Sequence, residues 1–559
     1  MGGGTVVNIG VQRFDRIREQ ASFYVDKTSF IKEWWENRSD VTLITRPRRF
    51  GKTLNMSMME CFFSNQYAGR GDLFEGLSIW EHESYRQLQG TFPVIFLSFA
   101  SIKAVNFDDM KYKMTETIAD LYNENTYLLK GDVLNQNEKE YYENIKAGIE
   151  DKVVAGTVHQ MAKFMHRYYG KEVIILLDEY DTPMQEAWLG GYWEEAVRFF
   201  RSFFDRTFKS NLHLYRGIIT GITRISKESI FSDLNNLKVV TTTSDVYATA
   251  FGFTEEEVFN ALDEMGLDSE KKDVKRWYDG FTFGKYTDIY NPWSITSFIE
   301  ERKYKAYWTN TSSNGLVNSL LQTGKAEIKE ILETLIKGGC FTAVIDEQIV
   351  FNQLGDSENA VWSLLLATGY LKVLKVETVG ERKDMVYTLT LTNLEVSILF
   401  ENMVNSWFKN NSRIPYNDFI KAMLADDVDS MNEFMNDIAL GSFSSFDTAK
   451  GVSSKDAPER FYHGFVLGMI VDLSGRYTIK SNRESGFGRY DILMKPVDKE
   501  RGCAYIIEFK VHKPRKEKDL EETLANALAQ IEERHYETEL VKEGFAPERI
   551  RKYGFAFRG

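Results

Sequence analysis

The sequence has few of the residues that build disulfide frameworks or structural metal sites. It contains three cysteines, Cys61, Cys340 and Cys503, and seven histidines among 559 residues. No two of the cysteines have the close spacing of a metal-binding pair, and three cysteines so far apart form no readable disulfide pattern. The composition therefore predicts a reducing, cytoplasmic location and disfavours a structural zinc site.

Long apolar runs, prolines and excess positive charge are also scarce. No run approaches the roughly 18–20 apolar residues of a membrane span, and the N-terminus lacks a basic stretch before an apolar one, so we expect neither a span nor a secretory signal. Only 9 prolines occur, which disfavours long proline-rich disorder. The net charge of −13 argues against a basic surface over the whole chain, although a local basic groove or metal-bridged phosphate contacts remain open.

The chain is long and apolar enough for several packed domains. At roughly 150 residues per domain, its length predicts two to four domains. Across residues 1–285, short apolar runs alternate with amphipathic segments, which favours a parallel sheet covered by helices on both faces. The expected buried strands lie at 41–45, 93–97, 173–177 and 215–220.

Two further segments complete an α/β multidomain prediction. Residues 286–445 are expected to be mainly helical, and a helix, a hairpin and a helix between 361 and 408 suggest a winged-helix-like module. Residues 446–559 are expected to form a small α/β unit with two strands and a long helix. The predicted domains are therefore 1–285, 286–445 and 446–559.

A phosphate-binding loop is predicted where the first apolar strand ends. Residues 46–53, RPRRFGKT, finish with the Gly-Lys-Thr of the P-loop motif and lead into an amphipathic helix. Gly51 would let the backbone approach a phosphate, and the helix N-terminus would direct N–H groups at the anion. Lys52 would reach the β- and γ-phosphates, and the Thr53 hydroxyl would ligate Mg²⁺. Arg46 stands where the motif has its first glycine, so the match is partial.

A second acidic motif strengthens this prediction. The strand at 173–177 runs into Asp178 and Glu179, at the carboxyl edge where open α/β sheets bind ligands. Asp178 is placed for the Mg²⁺ shell and Glu179 for polarising an attacking water. After the strand at 215–220, Arg224 is our candidate for sensing the γ-phosphate, with Thr223 as the alternative.

Solvated charge is the competing interpretation of both motifs. A lysine at a helix start and acids at a strand end are each common without any ligand. Both motifs in order, each after a strand of the right type, favour nucleotide binding more strongly than hydrolysis. We also assign Arg48 and Arg49 of the same loop to the nucleotide-binding residues.

A second candidate site lies near the C-terminus. Glu508 and Lys510 are spaced i, i+2 in an apolar strand, so both side chains face one side. Burying unpaired charge is costly, so these groups need each other, a cation, or both. Asp491 on the preceding strand could hold Mg²⁺ together with Glu508, and Glu484 lies seven residues before Asp491. The metal would activate water for attack on a phosphodiester, and Lys510 would position the nucleophile or neutralise the phosphate.

A purely structural Glu–Lys pair is the alternative for this strand. This alternative is less favoured because Asp491 lies on the neighbouring strand and a helix with Gln530 follows. Residues 480–520 also hold 11 lysines and arginines against 7 acidic residues, although the whole chain is acidic. This local excess of positive charge is consistent with a nucleic-acid partner.

Several of these motifs together resemble a known family. The chain looks like the AAA-ATPase-like family of bacterial proteins that carry a C-terminal PD-(D/E)XK nuclease-like domain, and the resemblance covers nearly its whole length. In that family the phosphate loop is also rich in arginine and proline. The matching stretches are FYVDKT (23–28), RPRRFGKT (46–53), LDEYD (177–181), GITR (221–224), YDGF (278–281), YNPW (290–293), YHG (462–464), GRYD (488–491) and IEFK (507–510).

The resemblance implies roles in the C-terminal motif. Asp491 and Glu508 would be metal ligands and Lys510 the catalytic lysine, with Glu484 or Glu459 adding a further carboxylate. It also implies that the helix after the core contributes polar residues, here Gln530 and Tyr536.

Two aromatic-rich motifs have a structural and a functional interpretation. His463 could act as a base, but a buried, hydrogen-bonded histidine is the favoured interpretation. Residues 277–283 are interpreted as a packed element beside the nucleotide domain, with contact to a nucleotide base as the minor option.

The leading hypothesis is an ATP-binding and ATP-hydrolysing protein with a Mg²⁺-dependent nuclease acting on nucleic acid, preferentially DNA. The alternative is a signalling or interaction ATPase whose nuclease-like domain binds nucleic acid or a partner without cleaving it. A scaffold in which neither site acts is the third hypothesis. We also expect that the chain can form homo-oligomers.

Overall fold

The computed structural model describes residues 6–209, 211–224, 230–231, 234–309, 314–346, 354, 357–409, 416–436, 457–484, 489–533 and 536–558. Contacts within the chain divide it into two compact units, of which the first comprises 1–313 and 342–396 and the second 314–341 and 397–559. The three-segment division remains a prediction. None of the described helices is both long and apolar enough to cross a bilayer.

The first helices along the chain lie between residues 14 and 301. In chain order they are α1 (Phe14–Glu19), α2 (Ser29–Asn37), α3 (Lys52–Phe63), α4 (Glu83–Arg86), α5 (Phe107–Glu124), α6 (Gln136–Glu143), α7 (Asp151–Val154), α8 (Thr157–Tyr169), α9 (Thr182–Gly190), α10 (Trp193–Phe204), α11 (Glu255–Glu264), α12 (Lys271–Tyr278) and α13 (Pro292–Glu301).

The remaining helices lie between 315 and 542. They are α14 (Gly315–Thr323), α15 (Ala326–Ile336), α16 (Glu358–Ala367), α17 (Leu394–Lys409), α18 (Tyr416–Leu424), α19 (described over 428–436), α20 (Ala457–Asp472), α21 (Leu520–Glu533) and α22 (Tyr536–Lys542).

The strands of the described residues form four sheets. They are β1 (Val41–Thr45), β2 (Val94–Ser98), β3 (Val173–Asp178), β4 (Leu214–Gly221), β5 (Leu237–Val240), β6 (Phe253–Thr254), β7 (Phe281–Phe283), β8 (Tyr286–Tyr290), β9 (Phe341–Val344), β10 (Leu371–Val379), β11 (Asp384–Leu391), β12 (Tyr477–Glu484), β13 (Arg489–Pro496), β14 (Ala504–Val511) and β15 (Ile550–Phe557).

The first unit is built around a five-stranded parallel sheet, as the sequence predicted. Its order is β2-β3-β4-β1-β5, and every neighbouring pair runs parallel. All residues of β1 and β3 are buried, which is why these strands are almost uninterrupted apolar runs. Because β4 lies between β1 and β3, the carboxyl ends of three motif-bearing strands meet at one edge of the sheet.

Two smaller sheets follow in the chain. One is antiparallel with the order β6-β8-β7. The other has the order β10-β11-β9, and its β10–β11 pair is antiparallel. The sequence α16, β10, β11, α17 reproduces the predicted helix–hairpin–helix order. Residues 360–366 of α16 are all buried, so this helix serves as core of the module.

The second unit contains a mixed four-stranded sheet. Its order is β12-β13-β14-β15; the first two pairs are antiparallel, and β14 pairs in parallel with β15. Helix α21 packs on β14 and β15. A core that includes Ile506, Ile531 and Leu540 fills the interface between strands and helices. The predicted C-terminal strands and long helix are therefore present.

Candidate functional sites

Main-chain hydrogen bonds join the three motifs of the first unit at one sheet edge. The Arg46 N–H, just after β1, donates to the Gly221 carbonyl at the end of β4 at 3.1 Å. The Tyr180 N–H, just after β3, donates to the Thr220 carbonyl at 3.0 Å. The phosphate loop, the acidic pair and the end of β4 are thus neighbours, as expected for parallel strands.

The phosphate loop ends in a glycine that begins α3. Gly51 has a φ of +79°, a left-handed conformation that glycine adopts without steric cost, and a Cβ at this position would have no atom within 4 Å. Lys52 is 3% exposed. Its ammonium donates to the carbonyls of Arg46 at 3.1 Å and Pro47 at 3.0 Å. The cation therefore lies inside the loop where a phosphate would be bound.

Asp178 and Thr53 form the oxygen pair that a metal ion would require. The Thr53 hydroxyl donates to Asp178 Oδ2 at 2.7 Å, and the Thr220 hydroxyl donates to the other carboxylate oxygen. Asp178 is fully buried, and burial together with the neighbouring charge of Glu179 raises its pKa to about 6. Hard oxygen donors in this arrangement suit Mg²⁺, so the residues present fit the ion that the sequence implies.

Glu179 lies beside the loop lysine in a strained backbone conformation. Its φ is +54°, which is uncommon for a residue with a Cβ and is concentrated at functional sites. Its Oε1 lies 3.4 Å from Lys52 Nζ. The carboxylate is thus at the edge of the phosphate loop, where the predicted role of polarising water is geometrically accessible. The role itself stays a prediction.

Asp181, in the LDEYD motif but given no role by the sequence analysis, binds the chain just after β4. Its Oδ2 accepts hydrogen bonds from the Ile222 N–H at 3.0 Å and from both the N–H and hydroxyl of Thr223 at 2.8 Å. Burial and the charge of Glu179 raise the pKa of Asp181. Because Asp181 engages the Thr223 hydroxyl, the half-buried Arg224 becomes the better sensor candidate.

Arg46 replaces the first motif glycine for a structural reason. Its side chain is fully buried and donates to the carbonyls of Thr45 at 2.9 Å and Thr241 at 2.7 Å. The guanidinium also lies 4.7 Å from the ring centroid of Phe283. Burial lowers its pKa to about 9. The Arg46 side chain therefore lies in the protein core, where its hydrogen bond to Thr241 joins the loop to the segment that follows β5.

Restoring the motif glycine with Arg46→Gly is therefore expected to damage the protein. The free energy of unfolding should fall by roughly 2–5 kcal/mol, because buried carbonyls lose their donor and a cavity opens. Chemical denaturation would measure this change, with exposed Arg198→Ala as the control. Wild-type stability combined with tighter ATP binding would show instead that Arg46 merely obstructs the motif.

The two arginines assigned to the nucleotide have protein contacts. Arg48 donates to Gln185 Oε1 at 3.4 Å and is half-buried. Arg49 is exposed, has a φ of +66°, and its guanidinium lies 4.3 Å from the Trp293 ring centroid. The contact of both side chains with a nucleotide stays a prediction.

The YDGF and YNPW motifs pack against the phosphate loop. Phe281 and Phe283 lie edge-on to Phe50, at centroid distances of 4.7 and 5.4 Å. The Asn291 side chain caps α13 by accepting from the Trp293 N–H at 2.9 Å. These contacts agree with the interpretation of residues 277–283 as a packed element.

The C-terminal motif centres on a buried carboxylate in β14. Glu508 is 1% exposed, and the strand register places it opposite Asp491 of β13, which is itself opposite Asn482 of β12. Lys510 donates to the Asn526 carbonyl of α21 at 2.8 Å. The side chains of Asp491 and Glu484 lie outside the described part of the structure, so their ligand roles stay predictions.

A hydrogen-bonded network beyond Lys510 was not foreseen. His512 Nδ1 lies 2.8 Å from the Thr523 hydroxyl oxygen, and that hydroxyl is 2.9 Å from Glu517 Oε2. Asn526, whose carbonyl accepts from Lys510, donates its amide to Glu517 Oε1 at 3.2 Å. The alternating spacing of Glu508, Lys510 and His512 in the sequence was the available signal.

The other polar residues assigned to this unit are partly described. Gln530 is buried in α21. His463 is buried in α20, with Nε2 3.7 Å from Glu330 Oε1, which agrees with its interpretation as a core histidine. The side chains of Glu459 and Tyr536 lie outside the described part of the structure.

Comparison with known proteins gives two family matches. Residues 8–231 match a family described as predicted AAA-ATPase, and residues 457–559 match the PD-(D/E)XK nuclease superfamily. An "Uncharacterized protein in vnfD 5'region" of Azotobacter chroococcum mcd 1 is 26% identical over 392 residues, which cover 69% of this chain and 67% of that protein. The resemblance inferred from the motifs is confirmed for both domains.

Proposed function

We propose that this chain, which carries an AAA-ATPase-like domain and a C-terminal PD-(D/E)XK nuclease superfamily domain, hydrolyses ATP and cleaves nucleic acid with Mg²⁺. The observation that supports it best is the convergence of Lys52, Thr53, Asp178 and Glu179 at one sheet edge. The Lys52 ammonium is buried, Thr53 and Asp178 pair two oxygens suited to a metal ion, and the backbone of Glu179 is strained. Solvated surface charge does not explain these features together.

In the nucleotide site, the phosphates would replace the loop carbonyls as partners of Lys52. Thr53 and Asp178 would hold Mg²⁺, which neutralises phosphate charge when bound. Glu179 would orient the attacking water, and Arg224 would contact the γ-phosphate. The Gly51 conformation and the N-terminus of α3 would supply main-chain N–H groups to the anion.

In the C-terminal unit, Asp491 and Glu508 would hold Mg²⁺ on neighbouring strands, with Glu484 as a further carboxylate. The ion would provide Lewis-acid stabilisation of the phosphodiester. Lys510 would position the nucleophile next to that centre. The basic excess in residues 480–520 would attract the nucleic-acid backbone, with DNA as the proposed substrate.

Glu179→Gln tests the ATPase half of this proposal. The variant should bind ATP but release phosphate about 10²–10⁴-fold more slowly, because an amide does not act as a general base. Phosphate release and ATP affinity would be measured with Mg²⁺ on the full chain, while cleavage of DNA and RNA is followed in the same reactions. Exposed Glu195→Gln is the matched control. Undiminished phosphate release would remove Glu179 from the mechanism.

A further inference from the structure

The Arg48 carbonyl of the phosphate loop is held by two buried side chains. The Arg48 carbonyl accepts one hydrogen bond from Asn291 Nδ2 at 3.2 Å and another from the Trp308 indole N–H at 3.0 Å. Both donors are buried, and both lie outside the segment 8–231 that matches the ATPase family. The position of the loop therefore depends on chain well beyond the matched domain.

A single buried carboxylate holds both of these donor segments. Glu395 Oε1 accepts from the Trp308 main-chain N–H at 2.5 Å, and Oε2 accepts from the Ser294 hydroxyl of α13 at 2.9 Å. Since Asn291 caps the same helix α13, the Glu395 carboxylate connects both partners of the Arg48 carbonyl. Glu395 is fully buried, so these hydrogen bonds face no competition from solvent.

Glu395 lies in the first turn of α17, so the residue that holds Trp308 and Ser294 is part of this helix. Helix α17 runs from Leu394 to Lys409. The boundary between the two compact units falls after Val396, so most of this helix belongs to the second unit. Helix α17 thus begins at the carboxylate that holds both partners of the Arg48 carbonyl.

Nucleotide binding would change the hydrogen bonds of the phosphate loop. Lys52 donates to the carbonyls of Arg46 and Pro47, and it would leave them for a phosphate. The next carbonyl, that of Arg48, is the one held by Trp308. A ligand shifts a conformational equilibrium only through such a difference in contacts.

We propose that Trp308 and Glu395 are positioning residues that transmit the nucleotide state of the phosphate loop to helix α17. This inference rests on the proposed nucleotide function of the Lys52 site. It assigns to the contacts between 291 and 395 a coupling role in addition to packing.

Hydrogen exchange of the full chain with and without Mg²⁺–ATP tests this proposal. In the wild type, ATP should protect amides of residues 46–63 and change exchange across 394–409 by about fivefold or more, at the lower end of typical coupling. Trp308→Phe, which removes the indole N–H but keeps an aromatic ring, should retain the loop protection and lose the α17 response. Glu395→Gln should behave in the same way, because an amide nitrogen replaces one acceptor oxygen.

Two variants control for packing effects. Trp34 is fully buried and its indole N–H has no hydrogen-bond partner among the described residues, so Trp34→Phe should leave the α17 response intact. Glu401→Gln changes a half-buried carboxyl on α17 itself and should also leave it intact. A structural defect in Trp308→Phe or Glu395→Gln would lower the loop protection together with the α17 response.

The outcomes separate this inference from the function on which it rests. Loop protection without any α17 response in the wild type would overturn the coupling and leave nucleotide binding in place. An α17 response that persists in both Trp308→Phe and Glu395→Gln would also overturn it. Absence of protection anywhere would overturn the nucleotide function and the coupling together.

Discussion

Replacing Lys52 with alanine is expected to remove most of the stabilisation that Mg²⁺–ATP gives the protein. The ammonium is buried among loop carbonyls and would contribute charge-assisted hydrogen bonds to phosphate, each worth about 1.5–3 kcal/mol. Losing one or two of them weakens binding by about 100-fold. At an ATP concentration of about 100 times the wild-type Kd, the stabilisation should fall from about 2.7 to about 0.4 kcal/mol.

Chemical denaturation with Mg²⁺ alone and with Mg²⁺–ATP measures this difference. The matched control is Lys146→Ala, since Lys146 is exposed. A full ATP-dependent shift in Lys52→Ala would contradict the P-loop assignment. If the wild type itself shows no shift at millimolar ATP, the scaffold hypothesis gains support.

The second large effect is expected at Glu508. Glu508→Gln should lower nucleic-acid cleavage by about 10³-fold, which corresponds to about 4 kcal/mol of lost transition-state stabilisation from a weakened metal site. The amide has nearly the shape of the carboxylate, and it removes a charge that is buried in an apolar strand, so the fold should persist. Cleavage of linear and circular DNA with Mg²⁺ or Mn²⁺ measures the effect, with RNA in parallel.

Glu521→Gln on the exposed start of α21 is the control for Glu508→Gln. Chelation of the divalent ion should suppress wild-type cleavage to the same level as the variant. Cleavage that survives in Glu508→Gln would place the chemistry elsewhere. Wild-type protein that binds DNA or RNA but cuts neither would favour the interaction ATPase whose nuclease-like domain does not cleave.

The parallel sheet and the loop at 46–53 could be predicted because their signals are local. The strands β1 and β3 are buried on both faces, so each is a short apolar run that can be recognised in isolation. Gly51, Lys52 and Thr53 are adjacent and mark the start of α3. Their proximity to Asp178 follows from one general rule, that parallel strands present their carboxyl ends at one edge.

The strand that carries the C-terminal motif was predictable for a similar reason. The i, i+2 spacing of Glu508 and Lys510 in an apolar run identified a charged face on a buried strand, and the register places Asp491 opposite Glu508. The network of His512, Thr523 and Glu517 depends on how the chain after β14 folds back, which the spacing does not specify.

Local sequence was enough to specify the strands, the phosphate loop and the two acidic motifs, because periodicity and short motifs are properties of neighbouring residues. Packing in three dimensions was needed to establish that Arg46 is a buried structural residue and that Asp181 shapes the end of β4. The same holds for Trp308 and Glu395, which hold the loop. These buried polar groups must find hydrogen-bond partners, and packing brings them together from segments up to 260 residues apart.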